Sequence, residues 1–129
     1  MTRILVTGLA TLDLIFALEH LPQLGEKYLA IEGLLSGGGN AGNAAVATAR
    51  LGGTVSIFAA IGQDDVGDLI LKGLQKEGID TRFVIQLKGH QSSFSSIVID
   101  KAGERQIINC RNTPSFENLV SKNNLLSSM

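Results

Sequence analysis

The octet Ser36-Gly37-Gly38-Gly39-Asn40-Ala41-Gly42-Asn43 constrains the fold more than any other stretch of the chain. Its glycines run directly into Ala44-Ala45-Val46-Ala47-Thr48-Ala49-Arg50-Leu51, which ends at Gly52-Gly53. The apolar run Tyr28 to Leu35 precedes it, so the local pattern is strand, glycine turn, helix. Glycine admits φ > 0 and lets another group approach with no Cβ in the way. The first N–H groups of the helix are expected to lack internal acceptors and to carry partial positive charge. Asn40 and Asn43 add amide donors and acceptors at the same place. Such a turn suits an oxygen-rich ligand, a phosphate or a polyol. The same glycines equally suit a turn whose only task is close packing.

Two phosphate-binding patterns bear on this turn. Gly37-x-Gly39-x-x-Gly42 matches the dinucleotide fingerprint, and Asp64 lies 22 residues after Gly42, where a ribose-binding acid would fall. A dinucleotide domain sets that fingerprint after its first strand, whereas here a strand and some 30 residues come first. A Walker A loop is excluded, because no Lys-Ser or Lys-Thr follows the glycines. No Ser/His/Asp set and no paired carboxylates stand out.

Composition narrows the classes further. A chain of 129 residues is one domain of ordinary size and can bury a core. With 44% apolar residues and a net charge of −1 the composition is soluble and globular, with no basic surplus to argue for nucleic acid. No apolar run approaches the roughly 20 residues of a membrane span. The start, Met1 to Gly8, is too short for a signal peptide and reads as a strand. The only cysteine, Cys110, forms no internal disulfide and fits a reducing, cytoplasmic setting. Cys110, His20 and His90 are too scattered to suggest a metal site.

In chain order, Ile4-Leu5-Val6 reads as a buried parallel strand stopped by Gly8. Asp13 stands among Leu12, Leu14 and Ile15. It is either an exposed edge residue or a carboxylate aimed at ligand hydroxyls, since an ionised Asp is a two-oxygen acceptor. Pro22 and Gly25 mark a loop, and Lys27 to Glu32 reads as a partly alternating strand. Residues 40–51 form a helix of small side chains, able to sit close to a neighbouring strand. Thr54 to Ile61 is the next strand, and Asp64 and Asp65 are two possible N-caps. Val66, Leu69, Ile70, Gly73 and Leu74 lie on one face of an amphipathic helix closed by Gly78. Ser93 to Asp100 and Arg105 to Asn109 are strands joined by the hairpin turn Lys101-Ala102-Gly103-Glu104. This β-α-β-α rhythm followed by a hairpin predicts an α/β fold, a parallel sheet with helices plus a small antiparallel element. The tail from Thr113 is polar, with a possible short helix from Ser115.

Four features in order resemble the N-terminal part of a PfkB-type, ribokinase-like carbohydrate kinase. They are Gly8 with Asp13, Pro22 and Gly25; Gly38-Gly39-Asn40-Ala41-Gly42-Asn43-Ala44-Ala45 with Gly52 and Gly62; Ile61 to Gly67 followed by Leu74 to Thr81; and Asp100 to Arg105. The resemblance covers about residues 3–114. It implies a three-layer α/β/α parallel sheet, of which this chain holds the N-terminal half. It also implies a small antiparallel β lid drawn from about residues 14–36 and 90–111, with residues 115–129 a poorly defined tail.

The implied activity is transfer of the γ-phosphoryl group of ATP, with Mg2+, to a sugar hydroxyl. By position, Asp13 would accept from sugar hydroxyls, and Gly39, Asn40 and Asn43 would line the same pocket. In the family such lids often pair to make a homodimer. The segments Gly25 to Tyr28, Ser92 to Ile97 and Gly103 to Asn109 look most like the branch of fructokinases, ketohexokinases and 6-deoxy-6-sulfofructose kinase. There Lys27 and Asn109 would hold a sulfonate, with Ser95 and Ile97 beside them. Lys27 as a solvated residue and Asn109 as a strand-end polar residue are the plainer readings. The family's second signature, a Gly-Ala-Gly-Asp type turn carrying the catalytic base, does not occur in the sequence. The expectation is therefore the sugar-binding and lid portion of a kinase, inactive by itself. A non-catalytic sugar-binding or dimerising module is the alternative, and a dinucleotide-binding domain a more distant one.

Overall fold

The computed structural model describes residues 2–112 and 119. Among the described residues these elements follow one another: β1 (Arg3–Thr7), β2 (Thr11–Ala17), β3 (Glu32–Gly38), α1 (Asn40–Arg50), β4 (Thr54–Gly62), α2 (Asp65–Lys76), β5 (Val84–Leu87), β6 (Phe94–Ile99) and β7 (Arg105–Cys110). They build two sheets. The first is parallel, in the order β1-β4-β5, and the second runs β3-β2-β6-β7. This is the α/β arrangement that the sequence suggests, a parallel sheet with helices and a second, largely antiparallel sheet. The second sheet is mixed: its outer pairs are antiparallel, but the central pair β2·β6 runs parallel.

The core lies between the parallel sheet and the two helices. Along β4 the side chains alternate, so Val55, Ile57, Ala59 and Ile61 face α1 and α2 while Phe58 and Ala60 face the other way. Ile57 is fully buried, and Ile70 and Leu74 of α2 complete the cluster. Each such aliphatic side chain stabilises the fold by roughly 1.5–3 kcal/mol relative to exposure. The small residues Ala41, Gly42 and Ala45 let α1 approach β4 closely. Leu119 packs on Phe58 and Ala60 from the opposite face.

Two sequence expectations need correction. The strand expected at Lys27–Glu32 lies further on, at Glu32–Gly38, and includes two glycines of the turn. Residues 18–31 are irregular, held partly by the Tyr28 hydroxyl against the backbone of Gln23 and Leu24. The first strand, expected to be buried, is not: Ile4 is 41% and Leu5 44% exposed. Among the described residues β1 pairs only with β4 and has no strand on its other side. The possible helix from Ser115 lies outside the described residues, Leu119 apart.

Candidate functional site

Strand register brings one set of polar side chains into line. Asp13 pairs with Ser36 of β3 and with Ser95 of β6, and Ser95 pairs with Asn109 of β7. Cα partners in adjacent strands share a face. Ser36, Asp13, Ser95 and Asn109 therefore form a single row across all four strands of the second sheet. Two residues further along each strand comes an apolar row, Leu34, Ile15, Ile97 and Ile107. Of the residues expected from the sequence, Asp13, Ser95, Ile97 and Asn109 are thus on one face. Ser36 joins them without having been singled out as a binding residue, because its place depends on a register that the sequence does not display.

Within the row, the Ser95 hydroxyl donates to the Asn109 carbonyl oxygen at 2.7 Å. This leaves the Asn109 amide hydrogens as the donors facing out. Asp13 accepts a long 3.4 Å bond from the Thr11 hydroxyl. Its carboxylate lies against the Gly38 backbone, in the space a Cβ at Gly38 would occupy. Glycine at 38 is what allows a carboxylate to rest there.

Gly39 turns the chain into α1 at φ 84°, a left-handed value, and a Cβ there would collide with the Leu9 carbonyl oxygen. That carbonyl accepts from the amides of Ala41 (3.1 Å) and Gly42 (3.3 Å). The expectation of free amides at the start of α1 therefore holds for fewer groups than predicted. Among the described residues, the amides of Gly39 and Asn40 at the head of α1 have no acceptor. They follow directly on the glycine that cradles Asp13.

Asn40 is also placed differently from expectation. Its Oδ1 accepts from the amides of Leu9 and Ala41, each at 2.8 Å. The side chain thus pins the β1–β2 turn to the helix, and only its amide nitrogen is left to meet a ligand. Asn43, one turn along, lines a crevice of about 780 Å3 between α1, α2 and the β2–β3 end, together with Thr11, Ser36 and Gly38. Lys27 is exposed in the irregular 18–31 segment, with no ion pair among the described residues, and is not brought into the row.

The dinucleotide pattern has no support in this geometry. β3 enters the glycine turn from the second sheet, where it is antiparallel to β2. Asp64 caps α2 by accepting from Gly67 N at 2.8 Å and also binds Ser92, so it is not open to a ribose. Among the described residues no three or more His, Cys, Asp or Glu side chains cluster so as to hold a metal ion. No described helix is long and apolar enough to cross a membrane. The described residues offer acceptors and amide donors for a polyol, but no assembled set of groups for a nucleotide and its metal.

Comparison with known proteins agrees with this arrangement. The profile for pfkB family carbohydrate kinases matches residues 1–126. Ribokinase of Mus musculus is 29% identical over 105 residues, covering 81% of this chain and 32% of that protein. Ribokinase of Bacillus subtilis is 32% identical over 108 residues, covering 84% and 36%. The structure of Arabidopsis thaliana ribokinase complexed with ribose and ATP superposes with a TM-score of 0.74 at 25% identity, over 89% of this chain and 40% of that one. The chain spans about a third of the length of these curated relatives. These relatives are ribokinases, and they lend no support to the sulfofructose and fructokinase branch expected from residues 25–28, 92–97 and 103–109. With a match running through residues 1–126, the chain belongs to the pfkB family of carbohydrate kinases.

Proposed function

We propose that this chain supplies the sugar-binding and lid part of an ATP-dependent sugar kinase, with ribose as the first candidate substrate. The observation that carries the reading is the Asp13 carboxylate seated on Gly38, immediately before the two open amides of Gly39 and Asn40. An acceptor beside two donors matches adjacent hydroxyls of a sugar, which both give and take hydrogen bonds. The second sheet is the lid. Its polar row faces the hydroxyls, and its apolar row, led by Ile97, excludes water, which would otherwise compete for the phosphoryl group. Bound ATP supplies that group, and the described residues contribute sugar binding, orientation and shielding. The names of the relatives favour a pentose.

A second reading, a 6-substituted fructose such as sulfofructose, rests on one observation. Asn109 keeps its amide hydrogens free on the lid face, and a sulfonate accepts from such donors. The other face of the lid also exposes large apolar side chains, Phe16, Leu35 and Ile108. Closure over a sugar covers one face only, so a second copy of the chain, lid against lid, is the partner we assign to the other.

Thermal shift of the 129-residue chain tests the proposal against ribose, fructose, fructose 6-phosphate, 6-deoxy-6-sulfofructose and ATP. Ligand at about 100 Kd stabilises by roughly 2.7 kcal/mol. Ribose should raise the melting temperature and ATP alone should not. A larger shift with sulfofructose supports the second reading. A cooperative melt that no sugar moves rejects both.

A further inference from the structure

The lid meets the core at a buried contact that the sugar-binding reading does not use. Ser92 is 1% exposed and lies three residues before Ser95. Its hydroxyl donates to Asp64 Oδ1 at 2.6 Å and accepts from Gly62 N at 2.8 Å. Its amide donates to Asp64 Oδ2 at 2.8 Å. Asp64 Oδ1 also accepts from Gly67 N at 2.8 Å, as the cap of α2. One carboxylate therefore joins the start of α2 to the entry of the lid, while the Ser92 hydroxyl carries the link on to the end of β4.

The packing leaves no slack at this point. A Cβ at Gly62 would strike the His90 carbonyl oxygen and come within 2.7 Å of Ser92 N. A Cβ at Gly67 would strike the Gly62 carbonyl oxygen and come within 2.9 Å of Ser92 Oγ. Both glycines are there so that backbone can close on the Asp64–Ser92 pair. Burial pushes the Asp64 carboxyl up, but hydrogen bonds from Ser92 and from Gly67 more than offset it, so its pKa is lowered and it stays ionised. From Ser92 the chain passes into β6, whose partners β2 and β7 carry Asp13 and Asn109.

We infer that Asp64 and Ser92 form the fixed pivot that sets the lid over the site, acting as positioning residues through β6. Only the purpose of the lid rests on the sugar-kinase reading. The pivot itself is a property of the fold and can be tested without a sugar.

Hydrogen exchange of the 129-residue chain, read by mass spectrometry, provides the test. Asp64→Asn is the informative variant, because Asn caps a helix about as well as Asp. Its carbonyl oxygen can still accept from Gly67 N, while its NH2 faces the Ser92 amide, donor against donor. Amides of β6 and β7 should then exchange about tenfold faster, while those of β4 and α2 stay within about twofold. Lid and core rates that rise together would show a general stabilising role only, and unchanged lid rates would show no role; either overturns the inference. If Asp64→Asn does not fold, Ser92→Ala carries the same test, since it removes the hydroxyl bridge and leaves the cap intact. It must speed lid exchange selectively, or the pivot is wrong.

Discussion

The Ser95 hydroxyl and the Asn109 carbonyl oxygen satisfy each other at 2.7 Å across the β6–β7 pair. That bond orients the Asn109 amide and decides what this face of the second sheet can offer a ligand. Asn109→Asp keeps an acceptor for Ser95 and removes both donors. An anionic sugar such as sulfofructose should then lose about tenfold or more in affinity, while a neutral sugar such as ribose should change by less than about threefold. Calorimetric titration with both sugars measures the difference, and an equal loss for the two would show that Asn109 does not select for charge.

Asp13 should matter for binding far more than for folding. Its carboxylate makes one long bond within the chain. Hydrogen bonds to a charged group contribute about 1.5–3 kcal/mol. Asp13→Asn should weaken sugar binding by about 10- to 100-fold and leave the unfolding free energy within about 1 kcal/mol. A large loss of stability with intact binding would instead make Asp13 a structural residue.

Gly39 and Gly37 are close in sequence and should respond oppositely to alanine. Gly39 has φ 84°, and its missing Cβ would meet the Leu9 carbonyl oxygen. Gly39→Ala should cost about 2–5 kcal/mol from backbone strain and overpacking together. A Cβ at Gly37 would have no neighbour within 4 Å, so Gly37→Ala should fall within about 1 kcal/mol of the parent. Urea unfolding followed by circular dichroism ranks the two.

Asp80 gives the fold an acid limit. The Arg82 side chain and backbone, with Ser56, hold its carboxyl at about 2, below the ordinary value of 3.8. A depressed folded-state pKa means that the ionised group favours folding above the unfolded value. That contribution is lost as pH falls through the folded value. The stability gap between the parent and Asp80→Asn should therefore be full above about pH 4 and close towards pH 2. A gap that is constant over this range would show that the charge on Asp80 contributes nothing.

The sequence displays periodicity and turn chemistry, and those parts of the fold can be read from it. The α2 helix, the β4 run and the Lys101–Glu104 hairpin are local patterns and form as expected, though Leu69 and Gly73 of the α2 stripe are exposed and only Val66, Ile70 and Leu74 of it reach the core. Glu32–Gly38 is harder to place because glycine disfavours a strand, and Gly33, Gly37 and Gly38 mask the pairing with β2. The parallel pairing of β2 with β6 joins residues some 80 apart, and no local signal announces it. The row of Ser36, Asp13, Ser95 and Asn109 follows from that pairing. So does the second task of Asp64, which looks like an ordinary cap until Ser92 is brought beside it. Asn40 misleads for a related reason: an amide in a glycine turn suits a ligand, but here the Leu9 backbone reaches it first.

The irregular 18–31 segment leaves from the end of β2 and returns at the start of β3, whose partner positions Ala17 and Glu32 lie opposite each other. The register of that pair, and of β2 with β6, is set by the strands themselves. Chain length between residues 18 and 31 can therefore change while every residue of the polar row keeps its place. Lengthening a loop costs only about 0.6 kcal/mol per doubling. This segment is where a tag, a reporter or a new recognition loop could be spliced in beside the second sheet without disturbing the polar row.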